Sequence, residues 1–266
     1  MPAGPYPALA VAGFRRWSAY RLATWTSATA NVVFGLLKAA VVSATVGAAG
    51  GSVAGYDAAE ATTFAWLSQA LIAPVNLFAR DDMAQRVRSG DVAVDLARPV
   101  DPQLAAWAGD LGRAAYQFLP RGVPPLLVGA LVSGLVLPAA PAPYLLGAVS
   151  LVMAVSLSFA CQWLVNLLAF RWLDVRGPLA LYTVVSLVLT GLAVPVWWFP
   201  GWLRELALVT PFPSMLQAPV DVLTGRAAGT AALEVLGVQA LWLAGALLAG
   251  HVGFRAGARR LVVQGG

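Results

Sequence analysis

The chain has 266 residues, 59% of them hydrophobic and 11% charged, with a mean hydropathy of +0.75 and a formal net charge of +5. Soluble domains carry roughly 25% charged residues, so the composition excludes a soluble globular enzyme and leaves room for several apolar spans of about 20 residues each. The basic residues flank apolar segments, as orienting charges do, which argues against nucleic acid as a partner. Cys161 is the only cysteine, which excludes an internal disulfide.

In chain order, residues 8–22 place Trp17 and Tyr20 among Arg15, Arg16 and Arg21, a composition suited to a short helix lying in the membrane interface. The apolar run from Leu22 to Val46 is too long for a signal core of ~7–15 residues and is expected to be retained as a span. The apolar segments predict six spans: 24–46, 61–79, 118–138, 144–170, 178–199 and 231–254. A polar stretch occupies 80–117, and a half-polar one 200–230. The expected fold class is an all-α integral membrane protein forming one permease domain over 1–266.

Charge counting sets an orientation. Fourteen arginines fall on one side of the expected spans, in 15–21, 80–121, 171–176 and 255–260, against Arg204 and Arg226 on the other. Both termini are therefore expected in the cytoplasm of a cell with a cytoplasmic (inner) membrane. The two halves show no inverted repeat of the kind many secondary transporters carry.

No phosphate-binding G-x-x-x-x-G-K-[ST] loop occurs, because the only lysine, Lys38, follows Leu36-Leu37. The single histidine, His251, has no Cys, Asp or Glu at metal-ligand spacing. Serine-hydrolase elbows and H-E-x-x-H are also missing. No catalytic residue and no bound metal or cofactor is expected of this chain itself.

The richest segment is 80–117. Gly90 is placed to stop a helix begun at Asp81-Asp82. Asp101 before Pro102 is a helix start, a capping carboxylate followed by proline at the first position. The helix so opened carries Leu104, Trp107, Leu111 and Phe118 on one face, with Asp110 and Arg113 elsewhere. Two ordered helices with a proline-pinned turn between them suit a surface that docks a cytoplasmic partner.

Within this segment, the string Arg88-Ser-Gly-Asp-Val-Ala-Val-Asp-Leu-Ala-Arg-Pro-Val-Asp-Pro102 resembles the loop of ABC exporter permeases of the ABC-two type. Pro195-Val-Trp-Trp-Phe-Pro-Gly-Trp202, Pro211-Phe-Pro213 and Pro219-Val-Asp-Val-Leu-Thr-Gly225 are similar to the region around span five in that family. The branch it most resembles is that of viologen and multidrug exporters.

The resemblance implies a permease subunit. Arg86, Arg88, Gly90, Asp91, Asp95, Arg98, Pro99 and Asp101 would form the surface that couples it to a separate nucleotide-binding ATPase. Two ATPase chains, holding ATP and Mg, and a second permease chain, the same or homologous, would complete one exporter. Residues 200–230 would form short re-entrant helices on the outside, with Trp197, Trp198, Phe199 and Phe212 as an external gate.

Polar residues inside the spans are candidates for the substrate path: Asn31, Lys38, Asn76, Asn166 and Glu234. Gln69 and Gln162 share the same setting. A charge in hydrocarbon costs at least ~2.5–3.5 kcal/mol, so Lys38 needs snorkelling, a polar cavity or an acidic partner, and Glu234 is the acid expected near it. The sequence thus reads as an exporter permease for drug-like, antibiotic or lipophilic cationic substrates. The alternatives are a secondary transporter or channel, or an intramembrane enzyme.

Overall fold

A computed structural model describes residues 4–19, 21–172 and 174–259, and all its regular elements there are helical. The expected interfacial helix included Tyr20 and the charge count Arg260; both lie outside the described residues. In chain order the helices are α1 (Pro5–Ser18), α2 (Arg21–Ala48), α3 (Ala58–Val75), α4 (Asp82–Ser89), α5 (Val92–Leu96) and α6 (Pro102–Gln117). They continue with α7 (Val123–Val132), α8 (Ala142–Asn166), α9 (Arg176–Leu189), α10 (Gly201–Leu208), α11 (Gln217–Leu223) and α12 (Thr230–Ala258). Among the described residues, three stretches are long and apolar enough to cross a membrane, Thr26–Ala48, Ala142–Phe170 and Thr230–Ala258; α9 is a shorter apolar helix. The chain is an all-α membrane protein.

Helix α3 is the centre of the bundle. Nearly every residue from Ala61 to Val75 is buried, including Thr62, Thr63, Ser68 and Gln69. Polar groups survive there because each is hydrogen-bonded. Asp57 and Glu60 close a capping box at its start, and Pro74 with the left-handed Asn76 (φ 60°) ends it. Trp66 is fully buried between Gly35 of α2 and Gly129 of α7, where any Cβ would overlap its ring. Its indole Nε1 donates to Ser133 Oγ at 2.9 Å.

Two expected spans are reshaped. The third, expected over 118–138, is continuous with the helix before it. α6 runs through a π-helical turn, Phe118–Gly122, into α7, which stops at Val132. Prolines 120, 124 and 125 remove donors here and shift the hydrogen-bond register. The fifth, expected over 178–199, ends as a helix at Leu189, because Gly191 takes a left-handed conformation (φ 81°). At 1.5 Å per residue, its 14 residues fall short of a bilayer core of ~30 Å.

The bundle has two distinct ends. α1, α4, α5, the start of α6 and the end of α12 gather at the arginine-rich end. The connection Gly47–Asp57 and the four short helical pieces from Val196 to Leu223 gather at the other, aromatic end.

Candidate functional site

At the arginine-rich end the chain between α3 and α4 is unwound, and α8 supplies the missing hydrogen-bond partners. Gln162 Nε2 donates to Asn76 O (2.6 Å), and Gln162 Oε1 accepts from Arg80 N (3.2 Å). Asn166 Oδ1 accepts from Ala84 N (2.9 Å), and its Nδ2 donates to Arg80 O (2.8 Å). Asn166 thus caps α4 from a neighbouring helix.

The α4–α5 hairpin hangs from this anchor. Gly90 is left-handed at φ 83° and stops α4 as expected. Arg86 grips Asp95 with two bonds of 2.5 and 2.7 Å, closing the hairpin; Arg98 lies 3.8 Å from the same carboxylate. Such two-pronged pairing fixes orientation as well as charge. Arg88 reaches back to Asp81 (3.2 Å), and Asp91 accepts from Ser89 Oγ (2.9 Å). Pro99 is exposed in the bend that follows, and Val94, Leu96 and Arg98 also face outward. Asp101 caps α6 by accepting from Leu104 N (2.9 Å), and lies 3.4 Å from His251 Nδ1 of α12. The eight residues read from the sequence as a coupling surface therefore all lie in the one segment that runs from α4 through α5 to the cap of α6.

Beneath the hairpin is a connection the sequence reading missed. Asp110 and Arg113, expected away from the buried face, are buried (6% and 3% exposed). Arg113 holds Asp110 at 2.6 and 3.0 Å and donates to the carbonyls of Ala73 (2.9 Å) and Pro74 (2.8 Å). Those carbonyls belong to the last turn of α3, where intrahelical partners run out. Arg80 adds a second guanidinium to Asp110 at 2.7 Å and lies 5.8 Å from the Trp17 ring of α1. Burial alone would raise the Asp110 pKa; the charges and hydrogen bonds of Arg113 and Arg80 reverse this and hold it below the ordinary carboxylate value. Above the cluster a cavity of about 1020 Å³ opens between α1, α4, α6 and α8, floored by Phe159 and Trp163.

Helix α1 crosses α6 at small residues. A Cβ on Gly112 would overlap the Ala10 carbonyl, and one on Gly13 the Gly109 carbonyl. Phe14 and Tyr116 meet edge to face at 5.4 Å.

At the aromatic end the organising residue is Asp221, also missed. Its carboxylate accepts from Trp197 Nε1 (2.9 Å), Gln217 Nε2 (2.8 Å) and Tyr56 OH (3.3 Å). Gln217 Oε1 accepts from Val196 N at 2.9 Å. Burial raises the Asp221 pKa, opposed by these bonds and by Arg226. Arg226 covers the Tyr56 ring at 3.7 Å and lies 3.6 Å from Glu60. Trp198 packs edge-on to Tyr56 at 6.1 Å, Phe212 lies 5.8 Å from Tyr182, and Phe199 joins the cluster around Val196 and Ala207. Of the four residues read from the sequence as an external gate, Trp197 alone reaches the Asp221 hub directly.

The residues read as a substrate path are mostly committed to structure. Asn31 Nδ2 donates to Arg121 O (2.7 Å), the carbonyl left without a partner by Pro125, and to Gln69 O (3.1 Å). Asn76 and Asn166 serve the unwound stretch. Glu234 is exposed on α12, and the expected Lys38–Glu234 pair does not form. Instead Lys38 Nζ donates to Ser68 Oγ and to the Leu192 carbonyl. A backbone carbonyl at a broken helix end satisfies an ammonium as a carboxylate would, and carries no sequence signature.

With this geometry in place, the sequence model of a family described as ABC-2 family transporter protein matches residues 32–265. The chain belongs to the ABC-2 transporter family. It is the membrane component, a permease, of an ABC transporter, a class that works with a partner ATPase subunit. No curated protein matches the chain.

Proposed function

We propose that this ABC-2 permease exports drug-like, antibiotic or lipophilic cationic substrates, using ATP and Mg held by two copies of a separate ATPase chain. The permease performs no hydrolysis itself. It spans the cytoplasmic (inner) membrane six times, its arginine-rich end and both termini lie in the cytoplasm, and a second permease chain, the same or homologous, completes the pathway. The short helices and the Trp197–Phe199 and Phe212 aromatics close its outer side.

The observation that carries this reading is the clasped α4–α5 hairpin. The Arg86–Asp95 bridge, the Gly90 turn and the Asp101 cap hold a small rigid knob that presents Val94, Leu96, Arg98 and Pro99 outward. Its movement is carried inward by Arg113, which ties α6 to the end of α3. ATP binding on the partner favours one permease arrangement, and a substrate with different affinity for the two arrangements is moved. The test is co-purification of the ATPase with the permease and drug-stimulated hydrolysis by the complex. Asp95→Arg, which turns the clasp into repulsion, abolishes the stimulation while the permease stays folded. Unchanged binding and stimulation in that variant contradict the docking assignment.

A further inference from the structure

Lys38 lies in an apolar helix, where an ammonium needs groups that replace water. Two segments supply them. Nζ donates to Ser68 Oγ of α3 and to the Leu192 carbonyl beyond the end of α9, and lies 5.2 Å from the centroid of the Phe64 ring. The Ser68 hydroxyl spends its own proton on the Phe64 and Ala65 carbonyls (2.7 and 3.0 Å), leaving a lone pair for the ammonium. The Leu192 carbonyl is available because α9 has already stopped, and the end of a helix carries partial negative charge. Among the described residues no carboxylate pairs with Lys38.

A neutral carbonyl, a hydroxyl and an aromatic face form a receptor for a cation that can donate hydrogen bonds. We propose that this cage is a primary-ammonium site whose resident ligand is the chain's own Lys38, and that it latches α2 to the broken end of α9. The latch lies directly under the aromatic layer. Phe64 meets Tyr56 edge to face at 6.2 Å, Tyr56 meets Trp198 at 6.1 Å, and Leu192 packs in the same core cluster as Trp198 and Phe212. Moving the end of α9 away from α2 requires the ammonium to leave the cage. The inference rests on this chain alone and is independent of the ATPase.

Chemical rescue tests it on the purified full chain in detergent, in a Cys161→Ser background with Ala193→Cys as a reporter beside Leu192. Lys38→Ala removes the three methylenes and the ammonium that n-propylammonium replaces. The expected result is a lower Tm and maleimide labelling at 193 faster by about 3- to 15-fold, the range interhelical hydrogen bonds in membrane proteins are worth. n-Propylammonium restores both, and tetramethylammonium, which has no N–H, restores neither. Lys38→Met, which fills the space without a charge, is not rescued. Wild-type Tm and labelling in Lys38→Ala, or equal rescue by tetramethylammonium, overturn the proposal. Should Lys38→Ala fail to fold, Ser68→Ala with Lys38 intact gives the second reading: labelling at 193 faster than wild type supports the cage, and an unchanged rate overturns it.

Discussion

Arg113 and Asp110 form a buried two-pronged pair inside a single helix, and Arg113 spends its remaining donors on the last carbonyls of a different helix. One side chain thereby neutralises a buried acid and caps α3. Removing Asp110 leaves the buried Arg113 charge uncompensated, which costs about 3–5 kcal/mol, whereas removing Arg113 leaves Asp110 held by Arg80 alone.

Arg113→Met and Asp110→Leu are therefore each expected to lower thermal stability strongly, and the double variant to cost less than their sum. The Asp110 pKa is depressed on folding, so its contribution is complete above the unfolded carboxylate value near ~3.9 and fades as pH falls through the lower folded value. Thermal unfolding of wild type against Asp110→Asn, from pH 3 to pH 7, measures this. A gap between them that widens below pH 4 contradicts the assignment.

Asp221 behaves in the opposite sense. Its folded pKa is raised by burial, so the fold binds a proton more tightly than the unfolded chain. The stability this contributes is present at low pH and lost as pH rises through the folded value. Asp221→Asn should remove that pH dependence, while its amide nitrogen replaces one accepting oxygen and leaves at least one of the facing donors unsatisfied, at about 1–3 kcal/mol. Asp221→Ala instead strands Trp197 Nε1 and the Tyr56 hydroxyl proton, at about 1–3 kcal/mol for each left unsatisfied, while Gln217 Nε2 keeps the Tyr56 hydroxyl oxygen at 3.2 Å. Tm measured against pH for the three proteins separates these outcomes.

The crossing of α1 on α6 depends on the absence of a side chain. Gly112→Leu cannot be accommodated against the Ala10 backbone and is expected to displace α1 at about 1–3 kcal/mol or more. Loss of stability together with new protease sensitivity in residues 5–18 is the result that checks it.

How much of this was legible beforehand follows from where each signal resides. Gly90 and Asp101 act on their own backbone neighbours, so local sequence suffices for them. The long apolar runs of α2, α8 and α12 likewise announce themselves. Asp110 and Arg113 look like a surface pair at i and i+3, because their decisive partners are backbone carbonyls 39 and 40 residues away. Tyr56 and Asp221 are 165 residues apart, and nothing local joins them. Lys38 was conspicuous as a charge, but its acceptor at Leu192 is a main-chain oxygen that any residue would provide. The stop of α9 at Thr190-Gly191 was readable as a glycine helix end, and the run of apolar residues on both sides masked it.

Orientation is checked by cysteine accessibility in the Cys161→Ser background. Cysteines at Ser52 and Thr224 should react with an impermeant maleimide on intact cells, and one at Ala93 only after permeabilisation. External labelling at position 93 would reverse the proposed sidedness.

The most direct test of ATP-driven coupling places a photo-crosslinking amino acid at Val94 or Leu96, which are 54% and 46% exposed on the hairpin. Leu131, 86% exposed on α7, is the comparison position. After irradiation in cells, mass spectrometry of the adducts identifies the neighbour. The account predicts that positions 94 and 96 capture a chain containing a G-x-x-x-x-G-K-[ST] nucleotide-binding loop and that position 131 does not. A folded, membrane-inserted permease that captures no such ATPase at 94 or 96 would contradict it.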